Sequence, residues 1–569
     1  MKKYLLSGIL LFAVCLATQG AASYDFSEAN EDGVTIYYKI ISPKDKTCEV
    51  TEREGKSGYG KDYFYDDYEG DIKIPASANG YKVVRIGSNA MASCQKVTSV
   101  SIPNTVTAIQ SSAFFWCQGL TSVSIPNSVT SLGSYVFCGC TSLASIRLPN
   151  AITVLNASVL EYCSSLTSIT IPSSVTKILD NALANCTGLS SISVPGSVTT
   201  IGFLAFQNCT GLKHVTIPSS VTKIDHRALE GCTALESIVV EEGNPYYNSI
   251  NNCNALIETE TSILVRGCKN TVIPNTVKVI EDGAFQGCKG LTEIRIPDSV
   301  ESTGLYSFGS CPDLTTVTLG NSFKTIGRHS FDQCFNLTTV NMGSSVTTIE
   351  SAAFQSCRKL NSVTLPNTLT TIEGSAFSSC TSMTTLTIPS SVTSIGGYAF
   401  SGCSGLTSIT SHIKDVFETG SKAFTGCTKA TLFVPHGLAE TYASTADWSS
   451  LTRIEEFFER MPLAMACNDM GRVVINREIT FSNKMGDVSI FEGTDNYFSF
   501  APFENCELGQ VLLDGLDITK SVKENQLKTM IRENSHMMVI FVPRRGDVNR
   551  DGAIDISDVV ALVNIILGE

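Results

Sequence analysis

Cysteine returns every 23 residues along this chain, at Cys94, Cys117, Cys140, Cys163, Cys186, Cys209 and Cys232, and again at Cys288, Cys311, Cys334, Cys357, Cys380 and Cys403. A fixed period of this length means stacked supersecondary units, because one such unit cannot bury its apolar side alone while a neighbour on each face can cover it. The same phrase surrounds each cysteine. In the unit that follows Cys117, Leu120, Val123 and Ile125 alternate with Thr121, Ser122 and Ser124, which is strand periodicity with the apolar residues inward. Pro126 lacks an N–H and fixes its own φ, so the strand ends there. Val129 and Leu132 can then return to the core before Gly133 releases the turn. The unit closes on Phe137 and Cys140, with Phe206, Phe285, Phe308, Phe331, Phe354, Phe377 and Phe400 at the equivalent place filling the wide corner of the core.

This phrase resembles the BspA-type leucine-rich repeats of bacterial surface proteins, over roughly residues 70 to 435. Leu160, Leu183 and Leu229 depart from it by replacing Phe, which keeps apolar volume. Cys232 and Cys288 are 56 residues apart, ten more than two periods. The surplus around Glu241, Asn244, Pro245 and Tyr247 reads as a surface loop, either a contact point or a tolerated insertion. The expected fold is a mainly β solenoid, a leucine-rich repeat array of 23-residue coils, followed by a small β-sandwich and a single EF-hand-like calcium loop. About fifteen coils rising roughly 4.8 Å each would span on the order of 70 Å.

The repeat array is expected over 71–435, preceded by a signal peptide at 1–22 and an N-terminal cap region at 23–70. It is followed by a C-terminal cap and linker at 436–461, with a short helix near Ala439 to Trp448, and by the β-sandwich-like domain at 462–545. Met1, Lys2 and Lys3, then the apolar run from Leu5 to Ala17 and the small Gly20, Ala21 and Ala22, have the form of a cleaved export signal. Cys15 lies within that run, but Phe12, Ala13 and Val14 make a poor lipidation site. No stretch of the mature chain is long and apolar enough for a membrane helix.

Exported proteins commonly pair their cysteines, and this chain has 21. In-register parallel side chains point the same way, however, so a disulfide between neighbouring coils would be strained. A column of free buried thiols is expected, with Cys48, Cys138, Cys467 and Cys506 outside it as better candidates for pairing. The net charge of −13 and the absence of a basic stripe argue against nucleic acid. The six histidines are scattered, and no triad, zinc spacing or phosphate loop stands out, so the chain does not read as an enzyme.

Two sets of residues are candidates for function. The outward strand positions form hydroxyl-rich columns, one through Ser122, Ser191, His214, Thr316 and Thr339 and the other through Ser124, Ser193, Thr216, Thr318 and Asn341. These are either a flat platform for a protein or polysaccharide, or simple strand propensity. The other set is terminal, at 546–569. Asp547, Asn549, Asp551, the Ala553 carbonyl, Asp555 and Asp558 occupy positions 1, 3, 5, 7, 9 and 12 of a calcium loop, with Gly552 at the sharp turn. This segment resembles a dockerin repeat, which implies bound Ca2+ and places Ile556 and Ser557 where dockerins choose a cohesin-like partner. Only one of a dockerin's two repeats is present, so the tail could instead lay Val559, Leu562, Val563 and Ile566 against its own sandwich.

The expectation is a secreted or cell-surface adhesion and recognition protein summing weak contacts over a rigid array. Family resemblance implies extracellular matrix proteins such as fibronectin, or other bacterial cells, as ligands. The alternatives are a structural component of a calcium-dependent surface assembly and a polysaccharide-binding module. The last lacks obvious aromatic platforms, since the chain has only two tryptophans, Trp116 and Trp448.

Overall fold

The computed structural model describes residues 24–52 and 68–457 and the segments 460–467, 471–475, 479–481, 484–491, 495–502, 506–513, 516–523, 526–530 and 536–543. The expected export signal at 1–22 and calcium loop at 546–569 lie outside the described residues.

Each coil has three sides, and a different hydrogen-bond pattern stacks each of them. The first side is the alternating strand. Ser191–Ser193, His214–Ile217 and Ser237–Val240 pair in parallel with Ser191 opposite His214 and His214 opposite Ser237, so the pairing offset equals the sequence period. Arg147, Thr170 and Ser193 continue the series through single bridges. The second side is a two-residue strand, such as Ser131–Leu132 against Ala108–Ile109, and it runs almost without interruption from Ile263–Arg266 to Ser394–Ile395. Val129 and Leu132 are buried there, as the apolar spacing requires.

The third side is a turn rather than a strand. Ala113, Phe115 and Cys117 donate N–H bonds three residues back within their own coil, while Ser112, Phe114 and Trp116 donate to Ser134, Val136 and Cys138 of the next. This alternation satisfies every second amide across coils and the rest within them. It requires two left-handed residues per turn, four apart. Ser112 and Trp116 have φ of 59° and 57°, and Tyr135 and Gly139 have 63° and 78°. Gly133 has no such φ. Its missing side chain serves close approach instead, because a Cβ there would fall 2.4 Å from the Ser111 amide nitrogen. The turn is therefore released by the left-handed residues beyond Gly133, not by the glycine itself.

About 17 turns are stacked, with one continuous apolar cluster from Ile36 to Cys268. From Phe285 through Phe308, Phe331, Phe354, Phe377 and Phe400 to Phe424, ring centroids lie 4.7 to 5.5 Å apart with planes within 11° of parallel. That spacing is the coil rise. Trp448 closes the ladder, 4.9 Å from Phe424, with its indole N–H donated to the Phe417 carbonyl.

The surplus between Cys232 and Cys288 is not a loop thrown out from the array. Tyr247–Asn248, Leu256–Glu258 and Ile263–Arg266 form an antiparallel meander whose last strand enters the second sheet beside Val279–Ile280. Asn244 ties its start to the Pro218 and Val221 carbonyls. The turn of this coil is short, running from Leu264 directly to Cys268. The Phe285 ring fills the vacated space against Gly267, and buried Arg266 reaches the Gly283 carbonyl at 2.7 Å.

At the N-terminus, Phe26–Ala29, Thr35–Ser42 and Thr47–Val50 form an antiparallel meander whose last strand runs parallel to Tyr81–Ile86, which covers the first coil. The chain divides into two compact units, the second comprising 410–416, 431–445 and 452–569. In the second unit Ala439–Ser444 is the expected short helix, and Tyr442 bonds Ser411 and the Ile413 carbonyl. Beyond it, the strands from Arg460–Cys467 to His536–Pro543 form a five-stranded and a four-stranded sheet.

Candidate recognition surface

The expected thiol column is present and free. Eighteen buried cysteines carry thiols outside any disulfide, Cys48 and Cys138 among them, so those two do not form the pairs considered for them. The column is more than small apolar filler. Cys140 Sγ lies 3.2 Å from the Phe114 carbonyl of the preceding coil, and Cys163, Cys186, Cys209, Cys334, Cys357 and Cys380 repeat the contact. Each carbonyl thus accepts an N–H from its own coil and an S–H from the next. Burial pushes Cys186 up to about 12 and raises Cys140 as well, which keeps those two thiols protonated, whereas the contact with Cys209 lowers Cys232.

The outward hydroxyl columns lie where the alternation puts them, half-buried or exposed. Within them, Asn341 bonds Thr318 at 3.3 Å across coils. Much of the hydroxyl content is instead structural. Thr121 donates to the Thr98 carbonyl, Ser128 to Val106 and Thr199 to Thr176, each one coil back, and the pattern repeats along the array. These side chains tie coil to coil and explain why the sequence is so rich in Ser and Thr.

The exposed large apolar residues mark a different side. Trp116, Tyr162, Phe203, Leu305, Phe335 and Tyr398 all lie on the turns, between six residues before and one after the coil cysteine. A reading of strand alternation passes over them, because they belong to neither strand. Several pair with cations across neighbouring coils: Arg227 lies over Phe203 at 5.2 Å, Arg358 over Phe335 at 5.0 Å and Lys422 over Tyr398 at 5.7 Å. Tyr306 and His329 stack at 4.4 Å, and His329 Nδ1 reaches the Asp332 carboxylate at 3.3 Å. Burial raises the Asp332 pKa, opposed by Gln333 and His329.

Trp116, Tyr162, Tyr398 and His329 all occupy left-handed positions that carry Gly, Asn or Ser in other coils. Non-glycine residues there cost on the order of 1 kcal/mol each, offset by the amide bonds that every turn makes to the next coil. Among the described residues, the other exposed large apolar side chains are Ile41 at the N-terminal cap and Val239, Tyr246, Ile250 and Val272 around the meander.

The expected calcium ligands Asp547, Asn549, Asp551, Ala553, Asp555 and Asp558, and the partner-choosing Ile556 and Ser557, all lie outside the described residues. Among the described residues, no group of three His, Cys, Asp or Glu is placed to hold a metal, and no helix is long and apolar enough to cross a membrane.

A stack of similar coils with a hydroxyl-stapled frame and variable side chains on its turns is a repeat scaffold. The chain belongs to the BspA-type leucine-rich repeat family, whose model matches residues 60–190, 176–263, 265–382 and 347–455. Among solved structures, a leucine-rich repeat protein from Bacteroides ovatus is 27% identical with a TM-score of 0.53, covering 76% of this chain and 100% of that one. A leucine-rich cell surface protein from Faecalibacterium prausnitzii is 28% identical with a TM-score of 0.50, covering 68% and 94%. No curated protein matches. The fold and these relatives are repeat proteins.

Proposed function

We propose that this chain is an exported surface protein that binds a matrix protein such as fibronectin, or a ligand on other bacterial cells, through the turn side of its coils. The observation that carries this reading is the gathering of exposed aromatic side chains and their paired cations on the turns. Aromatic residues and arginine dominate protein contact energies, and a rigid frame lowers the entropy cost of presenting them. The test is binding of the full chain to immobilised fibronectin and to whole bacteria. Changing Phe203, Phe335 and Tyr398 together to Ser should weaken saturable binding about tenfold or more; undiminished binding would remove the turns from the contact.

A second reading rests on the acidic terminal loop. Asp547, Asn549, Asp551, Ala553, Asp555 and Asp558 would hold Ca2+, with Ile556 and Ser557 meeting a cohesin-like module of a surface assembly. The two sheets between 460 and 543 would then pack as a sandwich that spaces the tail from the array. Deleting 546–569 distinguishes the readings: adhesion survives in the first, and calcium-dependent assembly is lost in the second.

A further inference from the structure

We propose that Trp116 and Tyr162, with Gly139 between them, form a stacking platform for the pyranose rings of a neutral polysaccharide. The three residues hold the same place, one before the cysteine, in three successive coils, all left-handed at 57°, 78° and 61° in chain order. Gly139 makes the platform possible. A Cβ there would fall 2.8 Å from Trp116 Cδ2 and 2.9 Å from Cγ, so the indole lies flat on the main chain of the next coil in space that any other residue would occupy. Laid across Gly139, it comes within 6.3 Å of the Tyr162 ring, centroid to centroid, at 32° between planes. Both rings remain open to solvent, Trp116 37% and Tyr162 44% exposed. Phe115 abuts the indole edge-on at 6.2 Å.

The chemistry of the neighbourhood selects the ligand. From Val97 to Ile146 the sequence has no Asp, Glu, Lys, Arg or His, so the coils carrying Trp116 and Gly139 present only hydroxyls, amides and rings. A single-stranded nucleic acid also stacks on aromatic faces, but it needs cations along its phosphates, and the stretch from Val97 to Ile146 has none. A protein hot spot usually sets an aromatic anchor into a pocket beside charged partners, as at Phe203 and Phe335 elsewhere on this array. Here two rings form an open face with no basic residue between Val97 and Ile146, and its nearest acid, Glu161 beside Tyr162, is partly buried with its pKa raised by that burial. The negative face of an aromatic ring attracts the C–H dipoles on the apolar side of a sugar, and the surrounding hydroxyls and amides suit its equatorial hydroxyls. This site uses none of the side chains tested for protein binding above and does not depend on that reading.

The chain's two tryptophans make the test direct, because Trp448 is fully buried and Trp116 alone is open to a quencher. Acrylamide quenching of the full chain would be followed during titration with neutral hexasaccharides of glucose, mannose and xylose, with heparin oligosaccharide and fibronectin as comparisons. Protection of Trp116 by a neutral glycan is expected, insensitive to added salt because no ion pair forms. Tyr162→Ala should weaken it about tenfold or more, while Tyr162→Phe retains it. Matching urea midpoints for the two variants show that the frame is intact. Failure of every neutral glycan to protect Trp116, or unchanged protection in Tyr162→Ala, overturns the proposal. Protection by fibronectin or heparin alone also overturns it; the fibronectin result would leave the protein-binding reading standing.

Discussion

At the scale of single residues, the cysteine column shows how a weak interaction becomes a rule when it repeats. Cys357 is fully buried, with Sγ 3.2 Å from the Phe331 carbonyl. Cys357→Ala should cost about 1–2 kcal/mol, through a small cavity and one lost S–H bond, as read by chemical denaturation. Because these thiols are buried, iodoacetamide should leave the native column unmodified and label it fully in guanidinium. Asp332 is the opposite case, a carboxyl with Oδ1 buried and unpartnered. Its folded pKa lies above the ordinary value near 3.8. The folded chain therefore binds the extra proton between those two values, and the stability that this group contributes is complete below the lower one and lost as pH rises through the upper. Asp332→Asn should flatten the pH dependence of the melting temperature over that window. The sequence reveals the thiol column by its period, but the buried acid is legible only once the coils are closed around it.

At the scale of elements, the two strands were readable and the turn was not. Alternation identifies Val123 and Ile125, or Val129 and Leu132, as inward without any knowledge of neighbours, and all four are buried. The turn depends on bonds to the next coil, such as Phe114 N–H to Val136 O, which no local pattern announces. The meander at Tyr247–Arg266 escaped for a related reason. Its strands Leu256–Glu258 and Ile263–Arg266 are short, and the entry of the second into a parallel sheet is decided by Val279 and Ile280, which follow more than a dozen residues later. The phenylalanine ladder joins the turns into one body. Phe354→Ala should cost about 3–5 kcal/mol, because a large cavity opens between two stacked rings. Phe354→Leu should cost no more than about 1.5 kcal/mol, since Leu160, Leu183 and Leu229 fill that place natively. Urea denaturation of both variants checks the ordering, and a loss confined to neighbouring coils would appear in hydrogen exchange.

At the scale of the whole molecule, stability is expected to come from stacking between adjacent coils rather than from covalent staples. Reductant should therefore leave the thermal transition of the array where it is, because the coil cysteines form no disulfides. A drop on reduction, seen by circular dichroism, would mean that coils are cross-linked after all. The sequence by itself determined the repeat, its period, the inward residues of both strands and the family, because each follows from spacing that a stacked coil must obey locally. It also displayed Trp116 and Tyr162 as letters 46 residues apart with an unremarked glycine midway. Only the tertiary structure brought them together, because two coil rises and an absent Cβ reduce that separation to 6.3 Å between ring centres. Which side of the array exposes its aromatic side chains was decided in the same way, by left-handed turns whose side chains face solvent only after neighbouring coils have claimed the main chain beneath them.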